Sequence, residues 1–219
     1  MFDPSTVPVV GVDDHLPRVL PQGLTAEALR ARFLMPPVWE PEVRREPRFT
    51  DHPPRHAAVL VPVFLRDEPT VLLTERTAHL PTHAGQIAFP GGKIDPHDRS
   101  ATAAAVREAH EEVGLDPADL EVLGSLPEYV TATAFVVTPV VALVPAHAAV
   151  RPNPYEVAEA FEVPLAFLMD PAHHRRHEML WEGQPRQWFS MPYRDGARER
   201  FIWGATAAML RNLYRFLSA

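Results

Sequence analysis

Residues 91–115 read GGKIDPHDRSATAAAVREAHEEVGL, a stretch that concentrates carboxylates on a segment built to be a helix. Ser100 or Thr102 offers a hydroxyl cap. Ala101, Ala103, Ala104 and Ala105 have the strongest helix preference, and Gly114 stands where glycine commonly ends a helix. At about 100° per residue, Glu108, Glu111 and Glu112 share one face, being spaced i, i+3, i+4. Thr102, Val106, Ala109 and Val113 form a separate packing face. The Gly91-Gly92 pair ahead of the helix lets backbone approach a ligand or ion closely. Three crowded carboxylates repel one another, and spacing alone leaves two readings open. One is a solvated surface relieved by an Arg107–Glu111 pair. The other is a hard-cation site, since Mg²⁺ takes one or two carboxylates and shares its remaining positions with water and phosphate.

Upstream, residues 57–65 (AAVLVPVFL) read as a buried strand in which Pro62 predicts an edge position or a bulge. Residues 70–76 (TVLLTER) return as a second strand, and 86–89 form a short one leading into the glycine corner. Further upstream, residues 1–22 are proline-rich and irregular, 25–35 read as a short helix capped by Thr25, and 36–55 as a proline-rich wrapping arm. This divides the chain into an N-terminal extension, 1–55, and one domain, 56–219.

Downstream, 120–126 and 135–144 read as strands with a loop, 127–134, between them. Residues 153–162 read as an acidic loop and 164–169 as a short helix. Residues 174–181 and 187–193 form a hairpin, and 201–217 a C-terminal helix ending near Arg211 and Arg215. Strands interleaved with two main helices predict an α/β layered domain.

The 219 residues are ample for a core, with 46% hydrophobic content. A formal charge of −7 argues against a general nucleic-acid binder. The absence of cysteine excludes disulfides, thiolate zinc sites and a cysteine nucleophile. No signal peptide or membrane-length apolar run is read, so the expected setting is cytoplasmic, with no membrane partner.

Arg107-Glu108-Ala109-His110-Glu111-Glu112-Val113-Gly114-Leu115 resembles the second half of the Nudix hydrolase signature, G-x5-E-x7-R-E-U-x-E-E-x-G-U, where U is bulky and apolar. Ala109 is small for its U position. Asp98 stands where glutamate is expected, with one extra residue before Arg107. The resemblance implies an α/β/α sandwich with a mixed sheet and hydrolysis of a nucleoside diphosphate linked to another moiety. It implies Mg²⁺ or Mn²⁺ held by Glu108, Glu111, Glu112 and the Gly92 carbonyl, with Arg107 orienting the glutamates. The general base is a signature glutamate, Glu111 among them, or a later one; Glu156 is favoured over Glu159 and Glu128.

Residues 72–92, LLTERTAHLPTHAGQIAFPGG, are similar to a second signature, carried by the coenzyme A pyrophosphatase branch of that family: L-L-T-x-R-[SA]-x3-R-x3-G-x3-F-P-G-G. Pro81 replaces the second arginine, with His79 and His83 as nearby substitutes. This likeness implies coenzyme A or a derivative as substrate, with Arg76, Thr74, His83 and Gly85 binding it. Phe89 is read as core, and Trp203 and Gly204, in a stretch that also resembles that branch, as packing. Two alternatives stay open: a hydrolase of ADP-ribose, NADH or another dinucleotide, and a non-catalytic nucleotide-binding module. Oligomeric state is also open, a homodimer included.

Overall fold

The computed structural model describes residues 3–47, 50–78, 85–181 and 183–219. Its first elements are β1 (Val9–Val12), α1 (Ala26–Leu34), β2 (Arg55–Leu65) and β3 (Thr70–Arg76). Next come β4 (Ile87–Ala88), β5 (Gly91–Lys93), α2 (Ala101–Val113), β6 (Glu121–Ser125), β7 (Tyr129–Val130) and β8 (Phe135–Pro145). The C-terminal part adds β9 (Val157–Pro164), α3 (Leu165–Leu168), β10 (Arg175–Trp181), β11 (Gln184–Asp195), β12 (Arg198–Trp203) and α4 (Gly204–Ser218).

β2 is the axis of the larger, mixed sheet. On one side it runs parallel to β8 along its whole length. On the other its partner changes: Ala57, Ala58 and Val59 pair antiparallel with β5, then Val63 and Phe64 with β3. Leu60 donates its N–H to Pro90 on that second side. Strand alternation therefore puts the missing N–H of Pro62 in the gap between the two partners. The proline is neither at an edge nor in a bulge, as its sequence context predicts; it sits in an interior strand where no ladder bond is lost. β3 continues the sheet through β9 and β4, and β8 through β6 and β7.

The two faces of this sheet bury different helices. Ala58, Leu60 and Phe64, with Leu72, Val140 and Ala142, pack on Ala104, Ala105, Ala109 and Val113 of α2. Ala57, Val61 and Val63, with Leu73, Val137 and Val141, share a core with α4 and with Leu29 of α1. Each fully buried Leu, Val or Phe contributes about 1.5–3 kcal/mol. The result is the expected α/β/α sandwich.

α4 is buried almost all round because a second sheet, in the order β1-β10-β11-β12, covers its far side through Phe189, Met191 and Ile202. A buried charge is tolerated there because it is fully partnered. Arg211, 2% exposed, pairs with Asp13 at 2.9 Å and Glu42 at 2.8 Å. It also contacts His174 Nδ1 at 3.0 Å. Burial pushes His174 down to about 4, so the ring is neutral, with Nε2 donating to the Leu168 carbonyl and Nδ1 accepting from Arg211. Asp13 and Glu42 belong to the N-terminal segment, which also buries Val19, Leu24 and Leu29.

Several expectations are corrected. The acidic loop at 153–162 is half strand: β9 starts at Val157, and its Glu159 and Glu162 are neutralised by Arg200 and Arg66. The C-terminal helix begins at Gly204, not 201, because β12 occupies 198–203. Gly204 has φ +60 and no atom within 4 Å of a would-be Cβ, so its role is to turn strand into helix rather than to allow close packing. The irregular 1–22 segment contains β1, paired to β10, and the 127–134 loop contains β7. Among the described residues no helix is long and apolar enough to cross a membrane.

Candidate active site

α2 forms where the sequence predicts. The Ser100 hydroxyl accepts the Ala103 N–H, and Gly114 closes the helix at φ +68 with its N–H on the His110 carbonyl. The buried face centres on Ala104, Ala105, Ala109 and Val113; Thr102 and Val106 are only half-buried. Glu112 lies at the edge of that face, 4% exposed, whereas the Glu111 side chain is 54% exposed. The three glutamates thus share a side of the helix and differ sharply in solvation.

The glycine pair is placed by two different neighbours. A Cβ on Gly91 would sit 2.5 Å from the Ala58 carbonyl oxygen, so this residue permits β5 to lie against β2. A Cβ on Gly92 would sit 2.5 Å from the carboxyl carbon and both oxygens of Glu108. The Glu108 carboxylate therefore rests directly on the glycine backbone. Glu112 reaches the same corner and accepts the Gly91 N–H at 3.1 Å.

Arg107 organises the outer part of the cluster. Its Nε and Nη2 donate to the two oxygens of Asp98 at 3.0 and 2.8 Å. Its Nη1 donates to Glu108 at 2.8 Å and Glu111 at 3.3 Å, and Nη2 also to the Lys93 carbonyl. Asp98 in turn accepts the Asp95 N–H at 2.7 Å. The shorter side chain and the additional residue therefore bring a carboxylate to Arg107 with two-point geometry. Arg107 holds the Asp98 carboxyl below the usual carboxylate range.

Electrostatically the inner site is short of positive charge. Burial pushes Glu112 up to about 7; the Gly91 N–H and Arg76 oppose this, while Glu108 and Glu156 add to it. Burial also raises Glu108, against its bond to Arg107 and together with the charges of Glu111 and Glu156. Arg76 stands 3.7 Å from Glu112, and its buried Nε has no hydrogen-bond partner among the described residues. Among those residues no three His, Asp or Glu side chains converge on one metal-sized point. The donor set still fits a divalent ion: hard oxygen ligands, partly desolvated, on a glycine corner, with Arg107 engaging Glu108 and Glu111.

The remaining sequence candidates divide. Glu156 follows a turn tied to the end of α2, since the Asn153 carbonyl accepts its N–H and the Asn153 N–H donates to the Glu112 carbonyl; its charge adds to the upward push on Glu108 and Glu112. Glu159 turns to the opposite face of the sheet, where Arg198 and Arg200 bind it together with Glu75. A bulge at the Glu75/Arg76 step separates the two directions. Gly85, φ +70, donates its N–H to the Arg76 carbonyl at 3.1 Å. Thr74, expected to touch substrate, is 2% exposed with its hydroxyl on the Ala88 carbonyl; it fixes β4 to β3 instead. Phe89 is core, 3% exposed. His79, Pro81 and His83 lie outside the described residues. Beyond β4 opens a groove of about 1040 Å³, lined by Gln86, Ala88, Phe135, Trp188, Trp203 and Thr206. Its Gln86 edge is joined to β3, the Gln86 carbonyl accepting the Arg76 N–H at 3.0 Å. Sequence reasoning assigned no role to Thr77 and Asn153, which hold the Glu156 loop; Thr77 stands at the Ser/Ala position of the 72–92 signature, whereas no local pattern marks Asn153.

Comparison with known proteins gives concordant results. Residues 54–182 match the NUDIX domain family. Nudix hydrolase NudL of Shigella flexneri serotype 5b, described as uncharacterized, is 39% identical over 193 residues, covering 88% of this chain and 94% of its own. NudL of Escherichia coli K12 shows the same identity and coverage. Among solved structures, a Nudix hydrolase from M. smegmatis, RenU, is 30% identical, with TM-score 0.44, over 52% of this chain and 73% of its own. Pyrophosphatase activity with divalent ions such as Mg²⁺ or Mn²⁺ is general in this family. A signature helix with its glycine corner, a matching domain and near full-length relatives lead to one conclusion: the chain belongs to the Nudix hydrolases.

Proposed function

We propose that the protein hydrolyses the pyrophosphate bond of coenzyme A or a derivative, giving 4′-phosphopantetheine and adenosine 3′,5′-bisphosphate. The observation behind this reading is the corner where Glu108 and Glu112 meet the Gly91-Gly92 backbone beside Arg76. It joins the helix signature to the 72–92 segment that resembles the coenzyme A branch.

Glu108, Glu111, Glu112 and the Gly92 carbonyl would hold Mg²⁺ or Mn²⁺. A bound divalent ion supplies charge neutralisation at the pyrophosphate oxygens. Arg107, braced by Asp98, keeps Glu108 and Glu111 in place. Arg76 grips a phosphate oxygen with the bonding capacity it leaves unused toward Glu112. Glu156 accepts a proton from the attacking water as the P–O bond to the leaving phosphate breaks. The groove beyond β4 receives the body of the substrate.

The test is a panel of coenzyme A, its disulfide, ADP-ribose, NADH and diadenosine polyphosphates, each with Mg²⁺, Mn²⁺ and chelator. Metal-dependent release of the two named products from coenzyme A is expected. Glu112→Gln and Glu156→Gln should each lose most turnover. Pro81, where the branch signature carries arginine, favours a second reading: cleavage of ADP-ribose, NADH or another dinucleotide. Preference for those substrates would replace the first reading, and binding without cleavage would replace both with a nucleotide-binding module.

A further inference from the structure

The segment that presents Glu156 is tied down in an unusual way. The Tyr155 side chain is 78% exposed, so burial does not hold this turn. Both backbone polar groups of Tyr155 are instead taken by side chains, one from the same turn and one from the end of β3. Its N–H donates to Asn153 Oδ1 at 3.1 Å, and its carbonyl accepts from Thr77 Oγ1 at 3.2 Å. Thr77 is 7% exposed and follows Arg76 at the end of β3; its own N–H donates to the Glu156 carbonyl at 3.0 Å. Asn153 donates its N–H to the Glu112 carbonyl at 2.8 Å, and its carbonyl accepts from the N–H groups of Glu156 and Val157. The peptides on both sides of Glu156 are thus fastened to the last turn of α2 and to β3, the two elements that carry Glu112 and Arg76.

We propose that Thr77 and Asn153 are positioning residues, fixing the Tyr155 backbone so that Glu156 is held at the junction of β3 and the last turn of α2, where Arg76 and Glu112 lie. The inference rests on the reading of Glu156 as general base. Proton transfer needs hydrogen-bond reach in the reacting complex, and a displacement of about 1 Å can cost up to roughly a hundredfold in rate. Neither residue touches substrate in this scheme.

Thr77→Val removes the hydroxyl at nearly constant volume; Thr77→Ser keeps it. Thr77→Val and Asn153→Ala are each expected to lower kcat about tenfold with KM within about twofold of wild type. Thr77→Ser is expected to restore at least half the wild-type kcat. In the Glu156→Gln background, Thr77→Val should add no further loss, because the group it positions is already disabled. Wild-type kcat in both Thr77→Val and Asn153→Ala, with Glu156→Gln impaired, would overturn the positioning role alone. So would an undiminished loss from Thr77→Val in the Glu156→Gln background. Wild-type turnover in Glu156→Gln would instead overturn the general-base reading, and the inference with it. Should Thr77→Val not fold, Asn153→Ala decides, since its lost bond lies in an exposed turn.

Discussion

Replacing each glycine of the corner by alanine should separate scaffold from chemistry. In Gly91→Ala the new Cβ meets fixed backbone, 2.5 Å from the Ala58 carbonyl oxygen and 2.7 Å from the Val59 Cα. Neither atom can yield without moving β2, so the cost is that of overpacking, about 1–3 kcal/mol. For a chain of this size that corresponds to a fall in Tm of roughly 2–12 °C. In Gly92→Ala the atoms nearest the Cβ are those of the Glu108 carboxylate, at 2.5 Å. Ordinary contact needs about 3.5 Å, so the carboxylate must retreat by about 1 Å, away from the corner and out of line with Arg107. Side-chain rotation accommodates this, and Tm should stay within a few degrees of wild type. Turnover should fall about a hundredfold, and the Mg²⁺ concentration for half-maximal rate should rise. Differential scanning fluorimetry and metal-titrated hydrolysis measure both quantities on the same preparations. Unchanged turnover and metal dependence in Gly92→Ala would refute the placement of Glu108 in the reaction. A Tm loss matching that of Gly91→Ala would show that the clash is with scaffold after all.

Asp98→Ala frees Arg107 Nε and should lower kcat by roughly 10–100-fold, as loss of a group that orients ligands does; steady-state kinetics would show no change if the brace is idle. His174 titrates near 4 when folded against an ordinary 6.5, so the unfolded chain binds the proton first. Its stabilising contribution is complete above about pH 6.5 and declines as pH falls toward 4, by up to roughly 3 kcal/mol. Urea unfolding across that range should show a steeper slope for wild type than for His174→Gln. Arg211→Met leaves Asp13 buried with Arg176, at 3.2 Å, as its one ion-pair partner among the described residues, and should destabilise by about 3 kcal/mol or more; a smaller shift in the urea midpoint would mean that Arg176 alone suffices.

Much of this was readable from local pattern. The limits of α2 follow from Ser100, the alanine run and Gly114, because caps and propensity act within a few residues. β2 and β3 were visible as continuous apolar runs, as strands covered on both faces must be. β9 was hidden because Glu159 and Glu162 read as solvated, while the arginines that neutralise them arrive from other strands. β1 was hidden in the same way: its partner β10 comes more than 160 residues later. The metal-ligand candidates were legible through spacing and resemblance, whereas the unequal burial of Glu111 and Glu112 depends on how α2 lies on the sheet. Thr74 looked like a ligand residue by motif, and only the register of β3 against β4 shows its hydroxyl already engaged.

The clamp around Arg211 bears on modularity. The family match spans 54–182, but β11, β12 and α4 lie after it, and Asp13, Leu24, Leu29 and Glu42 lie before it. Cut at those limits, the sheet would lose the helix that covers one of its faces, and that helix would lose the acids that neutralise it. The packed core therefore extends beyond the matched residues at both ends. The segment before the match and the helix after it are held to each other by the Arg211 clamp, so a truncation at either end exposes buried charge at the other.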